Sequence, residues 1–255
     1  MVRPKKHLGQ HFLTDQNTAG RIADTLNIRE KPQRVLEIGP GKGILTNCLL
    51  KNPDIELKVI EIDGESVTYL KEELQLPKAM IIEGDFLKTD LREIFNGQTY
   101  SVIGNFPYNI SSQILFSCLN NRSIVKDVSG MFQREMARRI CSPPGSKEYG
   151  ILSVLLQALY QVNYEFTVNE GAFYPPPRVK SGVISLVRKE ASPDIPDFKR
   201  FTNLVKTAFN QRRKQLRNTL KTLKNDLPDH PYLSRRPEEL SWGEFLELYH
   251  LIHSG

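Results

Sequence analysis

The chain has 255 residues, of which 39% are hydrophobic and 25% charged, with a formal net charge of +6. That length suits one large domain with an appendage, and the composition excludes global disorder. No apolar run approaches the ~20 residues of a membrane span, and the basic N-terminus lacks the apolar stretch of a secretory signal.

The three cysteines, Cys48, Cys118 and Cys141, lie far apart without paired spacing. They read as free or buried thiols of a reducing compartment, with neither a disulfide framework nor a metal site. The expected location is the cytoplasm and the expected state a monomer.

The first 31 residues are basic, and Lys5, Lys6 and His7 form an arm that orders on RNA or stays mobile. Thr14 or Asp15 can cap a helix running to about residue 26. Short apolar runs at 34–38, 57–62, 79–82, 100–103 and 128–132 predict buried strands, each followed by a loop or helical pattern. Alternation of this kind means parallel βαβ units and an open, doubly wound sheet. Right-handed crossovers put the strand C-termini on one edge, where ligands collect. A helix over 150–158 and strands over 162–168 and 181–187 follow, so the sheet ends in an antiparallel pair. Between those strands lies Phe173-Tyr-Pro-Pro-Pro-Arg-Val179, where three successive prolines forbid regular structure. The domain expectation is a catalytic unit over 1–189, a linker over 190–197 and an all-helical unit over 198–255. In the last, Phe201, Leu204, Val205 and Ala208, then Leu216, Leu220 and Leu223, follow helix spacing, and a further helix starts near Pro237.

Four strand ends carry the chemistry. Glu37-Ile-Gly-Pro-Gly-Lys-Gly43 has glycines at 39, 41 and 43. A dinucleotide fingerprint would place the third one residue later, and Pro40 removes an amide that a pyrophosphate would use. A cofactor with an adenosyl group and no pyrophosphate fits better, and S-adenosyl-L-methionine is such a cofactor; its methionine tail would lie along Gly39 and Gly41. Glu61 comes 22 residues after Gly39, where an acid accepts both ribose hydroxyls. Asp63 reads as a solvated turn or cap residue. Asp85 can take the adenine amino group, with Phe86 against the ring.

The fourth loop, Gly104-Asn105-Phe106-Pro107-Tyr108, can grip a flat ring by its edge and face. An aromatic amine such as adenine N6 is a poor nucleophile because its lone pair is delocalised. Two acceptors, the Asn105 amide oxygen and the Phe106 carbonyl fixed by Pro107, would restore it, while Tyr108 stacks on the base. The alternative for these four residues alone is a proline turn capping the next helix.

The motifs Leu8-Gly-Gln-His-Phe-Leu13, Val35-Leu-Glu-Ile-Gly-Pro-Gly41, Val59-Ile-Glu-Ile-Asp63, Gly84-Asp85, Gly104-Asn-Phe-Pro-Tyr-Asn-Ile-Ser111, Lys147-Glu-Tyr-Gly-Ile-Leu-Ser153, Phe173-Tyr-Pro-Pro-Pro-Arg-Val179 and Arg236-Pro-Glu-Glu-Leu-Ser241 together resemble the ribosomal RNA adenine N6,N6-dimethyltransferases of the kasugamycin-resistance type. The resemblance covers nearly the whole chain. It implies a Rossmann-like methyltransferase with a small helical C-terminal domain. It also implies S-adenosyl-L-methionine as donor, S-adenosyl-L-homocysteine as product and no metal. The substrate it implies is two adjacent adenosines in a 3'-terminal hairpin of 16S rRNA, modified during small ribosomal subunit biogenesis. By position, it implies that His11 and Leu13 close over the cofactor, that Gly39 holds its methionine end, Glu61 the ribose and Asp85 the adenine, and that Asn105 bridges cofactor and target amine. His11 stands where many members have Asn, and Phe106 where many have Leu.

Residues 211–221 carry five cations, Arg212, Arg213, Lys214, Arg217 and Lys221, and no acid. With the leucines facing inward, they form a basic helix face suited to RNA phosphates, against the plainer reading of a solvated face. The competing functions are a large-subunit rRNA methyltransferase of the macrolide-resistance type, an assembly factor that uses the fold without catalysis and, more distantly, a dehydrogenase.

Overall fold

The computed structural model describes residues 2–29, 31–224, 226–227 and 229–253. In chain order its elements begin with β1 (Phe12–Leu13), α1 (Gln16–Ala23), β2 (Gln33–Ile38), α2 (Ile44–Leu49), β3 (Ile55–Glu61), α3 (Gly64–Glu72), β4 (Ile81–Glu83), β5 (Tyr100–Asn105) and α4 (Ser111–Asn120). They continue with β6 (Val125–Gln133), α5 (Arg134–Cys141), α6 (Ile151–Leu159), β7 (Tyr160–Val168), β8 (Phe173–Tyr174), β9 (Ser181–Arg188), α7 (Phe198–Phe209), α8 (Leu216–Leu220) and α9 (Trp242–His253).

Seven strands form one sheet in the order β4-β3-β2-β5-β6-β9-β7. The five from β4 to β6 are parallel, and β9 runs antiparallel to β6 with Val128 opposite Leu186. The middle strands carry apolar residues toward both faces because both are covered: Val35, Leu36, Val59, Val102 and Ile103 are all fully buried. The strand order turns back on either side of β2 and β5, so the loops after β2, β3, β4 and β5 open on one edge.

A second, two-stranded sheet pairs β1 with β8, Phe12 opposite Tyr174. The sequence reading excluded regular structure from residues 173–179. In the structure, residues 173–174 form a strand before the first proline, and the prolines begin only where pairing stops. α1 starts on Asp15, whose carboxylate accepts the Asn17 and Thr18 amides, and ends at Ala23, short of residue 26.

The chain divides into two compact units, Met1–Ala137 with Asn163–Val187, and Arg138–Val162 with Arg188–Gly255. The second unit therefore adds Arg138–Val162 to the C-terminal helices, because α6 packs on α7 and α9. Within it, the basic helix expected over 211–221 is broken. α7 stops at Phe209, residues 211–214 form a turn, and α8 begins at Leu216. The reason is local: residues 211–215 hold no apolar side chain to anchor a helical turn. Likewise, the helix expected near Pro237 is a single 3₁₀ turn, Pro237–Glu239, and α9 begins at Trp242. No described helix is long and apolar enough to cross a membrane.

Candidate active site

One pocket at the strand ends is lined by His11, Leu13, Gly39, Gly41, Glu61, Asp85, Asn105, Phe106, Pro107 and Tyr108. The residues singled out in four separate loops and in the N-terminal segment are thus neighbours. Glu37, Ile62 and Phe86 also line it.

The glycine turn is built on left-handed backbone, with φ of +67° at Gly39, +54° at Gly41 and +71° at Gly43. Side chains rarely adopt that conformation. The first two glycines do different work. A Cβ on Gly39 would meet nothing within 4 Å, whereas one on Gly41 would stand 2.9 Å from two ring carbons of Phe12. Gly39 faces open space, and Gly41 makes room for the N-terminal strand.

Glu61 ends β3 and is 4% exposed. One carboxylate oxygen accepts the Gly41 amide at 3.1 Å, the other the Asp63 amide at 3.0 Å. A carboxylate offers about four acceptor positions, so capacity remains for a further donor. Burial pushes its pKa up, against those amide hydrogen bonds. Glu37, one strand over on β2, is 1% exposed and accepts the Thr46 hydroxyl at 2.7 Å. Burial is the main force that moves its pKa up to about 8, with the Glu61 charge adding to it. The motif pattern assigns Glu37 no role; an acid among Val35, Leu36 and Ile38 is the available signal. Asp85 caps the turn after β4, accepting the Leu87 amide at 3.0 Å, with the Lys88 ammonium 3.6 Å away.

Asp63 is not the solvated residue expected. It is 2% exposed, and besides capping α3 it accepts from Ser66 Oγ at 3.0 Å and Gln10 Nε2 at 3.3 Å and pairs with Lys5. Burial acts to raise its pKa, but the hydrogen bonds from Lys5, Ser66 and Gln10 together hold it below the ordinary value. Lys5 also lies 3.2 Å from Glu65, and its amide donates to Gln10 Oε1 at 2.8 Å. Lys5 is therefore a fastener of the N-terminal segment rather than part of a free basic arm; Lys6 and His7 are exposed.

Asn105 is the last residue of β5, and its Nδ2 donates to the His11 carbonyl at 2.9 Å. A carbonyl can only accept, so the amide orientation is fixed and Oδ1 is the oxygen left over. His11 Nδ1 lies 2.8 Å from the Pro175 carbonyl, which makes Nδ1 the protonated nitrogen. The same imidazole stacks on Tyr108 with centroids 5.7 Å apart. Tyr108 OH in turn meets Ser181 Oγ at 2.6 Å. Burial pushes the Tyr108 pKa up. Leu13 lines the pocket while also belonging to the apolar core with Ala19 and Ile22.

The five cations of the second unit are not equivalent. Arg212 donates to the Ser146 carbonyl at 3.0 Å and lies 3.8 Å from Glu238, and Arg217 pairs with Asp229 at 2.9 Å. Acids absent from the local sequence arrive from distant segments. Arg213, Lys214 and Lys221 are exposed. Among the described residues no group of three or more His, Cys, Asp or Glu side chains could hold a metal ion.

The family model described as ribosomal RNA adenine dimethylase matches residues 1–232. Ribosomal RNA small subunit methyltransferase A of Flavobacterium johnsoniae is 51% identical over 255 residues, covering 99% of this chain and 97% of that protein. The protein of the same name from Parabacteroides distasonis is 53% identical over 251 residues, 97% and 93% of the two chains. Among solved structures, a dimethyladenosine transferase from Plasmodium falciparum superposes with a TM-score of 0.77 at 26% identity, covering 93% of this chain and 96% of that one.

Proposed function

The chain belongs to the ribosomal RNA adenine dimethylase family, and from that premise we propose that it dimethylates N6 of two adjacent adenosines in a 3'-terminal hairpin of 16S rRNA. The reaction takes place on the assembling small ribosomal subunit, and the protein acts as a cytoplasmic monomer. The names of relatives about half identical over nearly the full length support the small-subunit substrate.

The cofactor this requires fits the pocket. Remaining acceptor capacity on the Glu61 carboxylate suits a ribose hydroxyl, and the open face of Gly39 leaves room for an amino-acid tail. His11 and Leu13 cover it from the N-terminal segment and Asp85 receives the adenine edge. Bound there, S-adenosyl-L-methionine supplies a methyl group on a good leaving group, becomes S-adenosyl-L-homocysteine and needs no metal.

The observation that carries the reading is the oriented Asn105 amide beside the Phe106 carbonyl. With Nδ2 held by His11, Oδ1 faces away from that bond as an acceptor. Oδ1 and the Phe106 carbonyl accept the two N–H groups of the target amine and draw its lone pair out of conjugation. Tyr108, steadied by His11 and Ser181, stacks on the base, worth ~1–3 kcal/mol. With the donor bound, transfer would form the N–C bond as the donor's S–C bond breaks, and the amine held by Asn105 and the Phe106 carbonyl would then release one proton to water. No strong base is needed, because the methylated aromatic amine is acidic. Positioning supplies most of the rate. The target base must leave its stack to reach this pocket. RNA binding falls to the second unit, where the exposed Arg213, Lys214 and Lys221 face phosphates, while Arg212 and Arg217 are engaged by Ser146, Glu238 and Asp229.

Incubating unmethylated small and large subunits separately with the protein and labelled S-adenosyl-L-methionine tests the proposal. Label in the small-subunit RNA alone is the expected result. Label only in the large subunit, or none, contradicts it.

A further inference from the structure

The Phe106 ring never touches solvent: the residue is 1% exposed. Two glycines abut it. Gly104 and Gly130 face each other as a registered pair of β5 and β6. A Cβ on Gly104 would lie 3.0 Å from Phe106 Cε1 and 2.7 Å from the Ile38 carbonyl oxygen. One on Gly130, at φ +150°, would lie 2.7 Å from Phe106 Cε2 and 2.3 Å from the Gly104 carbonyl oxygen. The ring thus rests on a bare patch of backbone that two glycines keep clear. Phe132 packs against the ring, with centroids 4.9 Å apart at 42°.

The backbone of the same residue is equally constrained. The Phe106 amide donates to the Met131 carbonyl at 3.2 Å. Pro107 follows, which restricts Phe106 to extended backbone. With N–H and side chain held by β5 and β6 and ψ restricted by Pro107, the direction of the Phe106 carbonyl is fixed too.

We infer that the Phe106 ring is a positioning residue for methyl transfer: seated on Gly104 and Gly130 and held by Phe132, it aims its own carbonyl at the target amine. This inference rests on the function proposed above. It concerns the acceptor side of the pocket, since Gly39 and Asp85 belong to the loops after β2 and β4 and Glu61 ends β3. A displacement of about 1 Å at the reacting centre can cost about a hundredfold in rate, so an emptied seat is read in turnover.

The test compares wild type, Phe106→Ala and Phe106→Leu in steady-state transfer to unmethylated small subunits, with unfolding midpoints for all three. Phe106→Ala is expected to lower kcat by about tenfold or more while KM for S-adenosyl-L-methionine stays within about twofold, and Phe106→Leu, which refills the seat, to recover most of the loss. A Phe106→Ala kcat within about twofold of wild type overturns the inference. So does a parallel loss of kcat, cofactor KM and stability, which would mark the ring as merely structural. Should Phe106→Ala not fold, Phe132→Leu loosens the ring without altering the loop. A kcat lowered about threefold at constant cofactor KM then supports the inference, and an unchanged kcat overturns it. A wild type that transfers no methyl group to adenosine overturns the proposed function itself, a different result from an active wild type indifferent to Phe106.

Discussion

Asn105 Nδ2 donates to the His11 carbonyl across 94 residues of sequence. That bond ties the end of the central strand to the N-terminal segment and decides which amide atom of Asn105 remains to accept. Asn105→Ala removes the acceptor, and Asn105→Asp removes the donor that orients it. Both are expected to lower kcat by about 10²–10³, the cost of losing one preorganised partner in a transition state, in a single-turnover assay with cofactor bound at saturation.

Glu61 is the proposed ribose acceptor, and its carboxylate is buried with its pKa pushed up. Glu61→Gln keeps the shape and removes the charge. Cofactor affinity by calorimetry should fall about ten- to a hundredfold, equivalent to ~1.5–3 kcal/mol for hydrogen bonds to a charged group. The unfolding midpoint of the free protein should fall as well, because the Gln amide leaves one of the two backbone amides, Gly41 or Asp63, facing a donor.

Glu37 predicts a pH dependence of stability. Its pKa in the folded protein, about 8, lies above the ordinary value of 4.5. Between those values the folded state holds more protons than the unfolded one. Its contribution to stability is therefore complete below about pH 4.5 and is lost as pH rises through about 8. Glu37→Gln should flatten that decline and exceed wild type in unfolding midpoint at about pH 8.5, while matching it near pH 5. Parallel curves for the two proteins would contradict the assignment.

The Lys5–Asp63 pair predicts how the N-terminal segment behaves. Asp63 is buried and its pKa is lowered, so the pair holds at neutral pH and is lost as pH falls through the carboxylate's own value. Lys5→Ala should speed amide exchange over residues 5–13 and weaken cofactor binding several-fold. Exchange unchanged in that segment would mean that β1 and β8 hold it without help.

In the second unit, exposed and engaged cations should separate. Replacing Arg213, Lys214 and Lys221 together by Ala should weaken RNA binding and reduce the slope of log affinity against log salt by roughly 2–3, about 0.7–0.9 per lost phosphate contact. Arg212→Ala should instead lower the unfolding midpoint, since its guanidinium meets Ser146 and Glu238.

The sheet was legible because buried parallel strands are short apolar runs, and β2, β3, β5 and β6 each cover an expected run with shifts of a few residues at the ends. The site was legible where strand ends carry Gly39, Glu61, Asp85 and Asn105, because topology alone gathers them. Long-range local contacts were not. The pair β1–β8 has two residues per strand, too few to show a period, and it joins positions 162 apart. The partners of Lys5, Arg212 and Arg217 are Asp63, Glu238 and Asp229, all outside the local window in which the cations were read, so a run of cations looked unpartnered. The leucine spacing at 216, 220 and 223 concealed the break before it, because a periodicity says nothing about a stretch that holds no apolar residue. The part played by the Phe106 ring depends on a strand 24 residues away, where Gly130 leaves space for it.

The most direct measurement is mass mapping of 16S rRNA from unmethylated small subunits after incubation with S-adenosyl-L-methionine and either wild type or Asn105→Ala. The account predicts that two adjacent adenosines of a 3'-terminal hairpin each gain two methyl groups with wild type and essentially none with the variant. A gain on no adenosine, or an equal gain with both proteins, would contradict it.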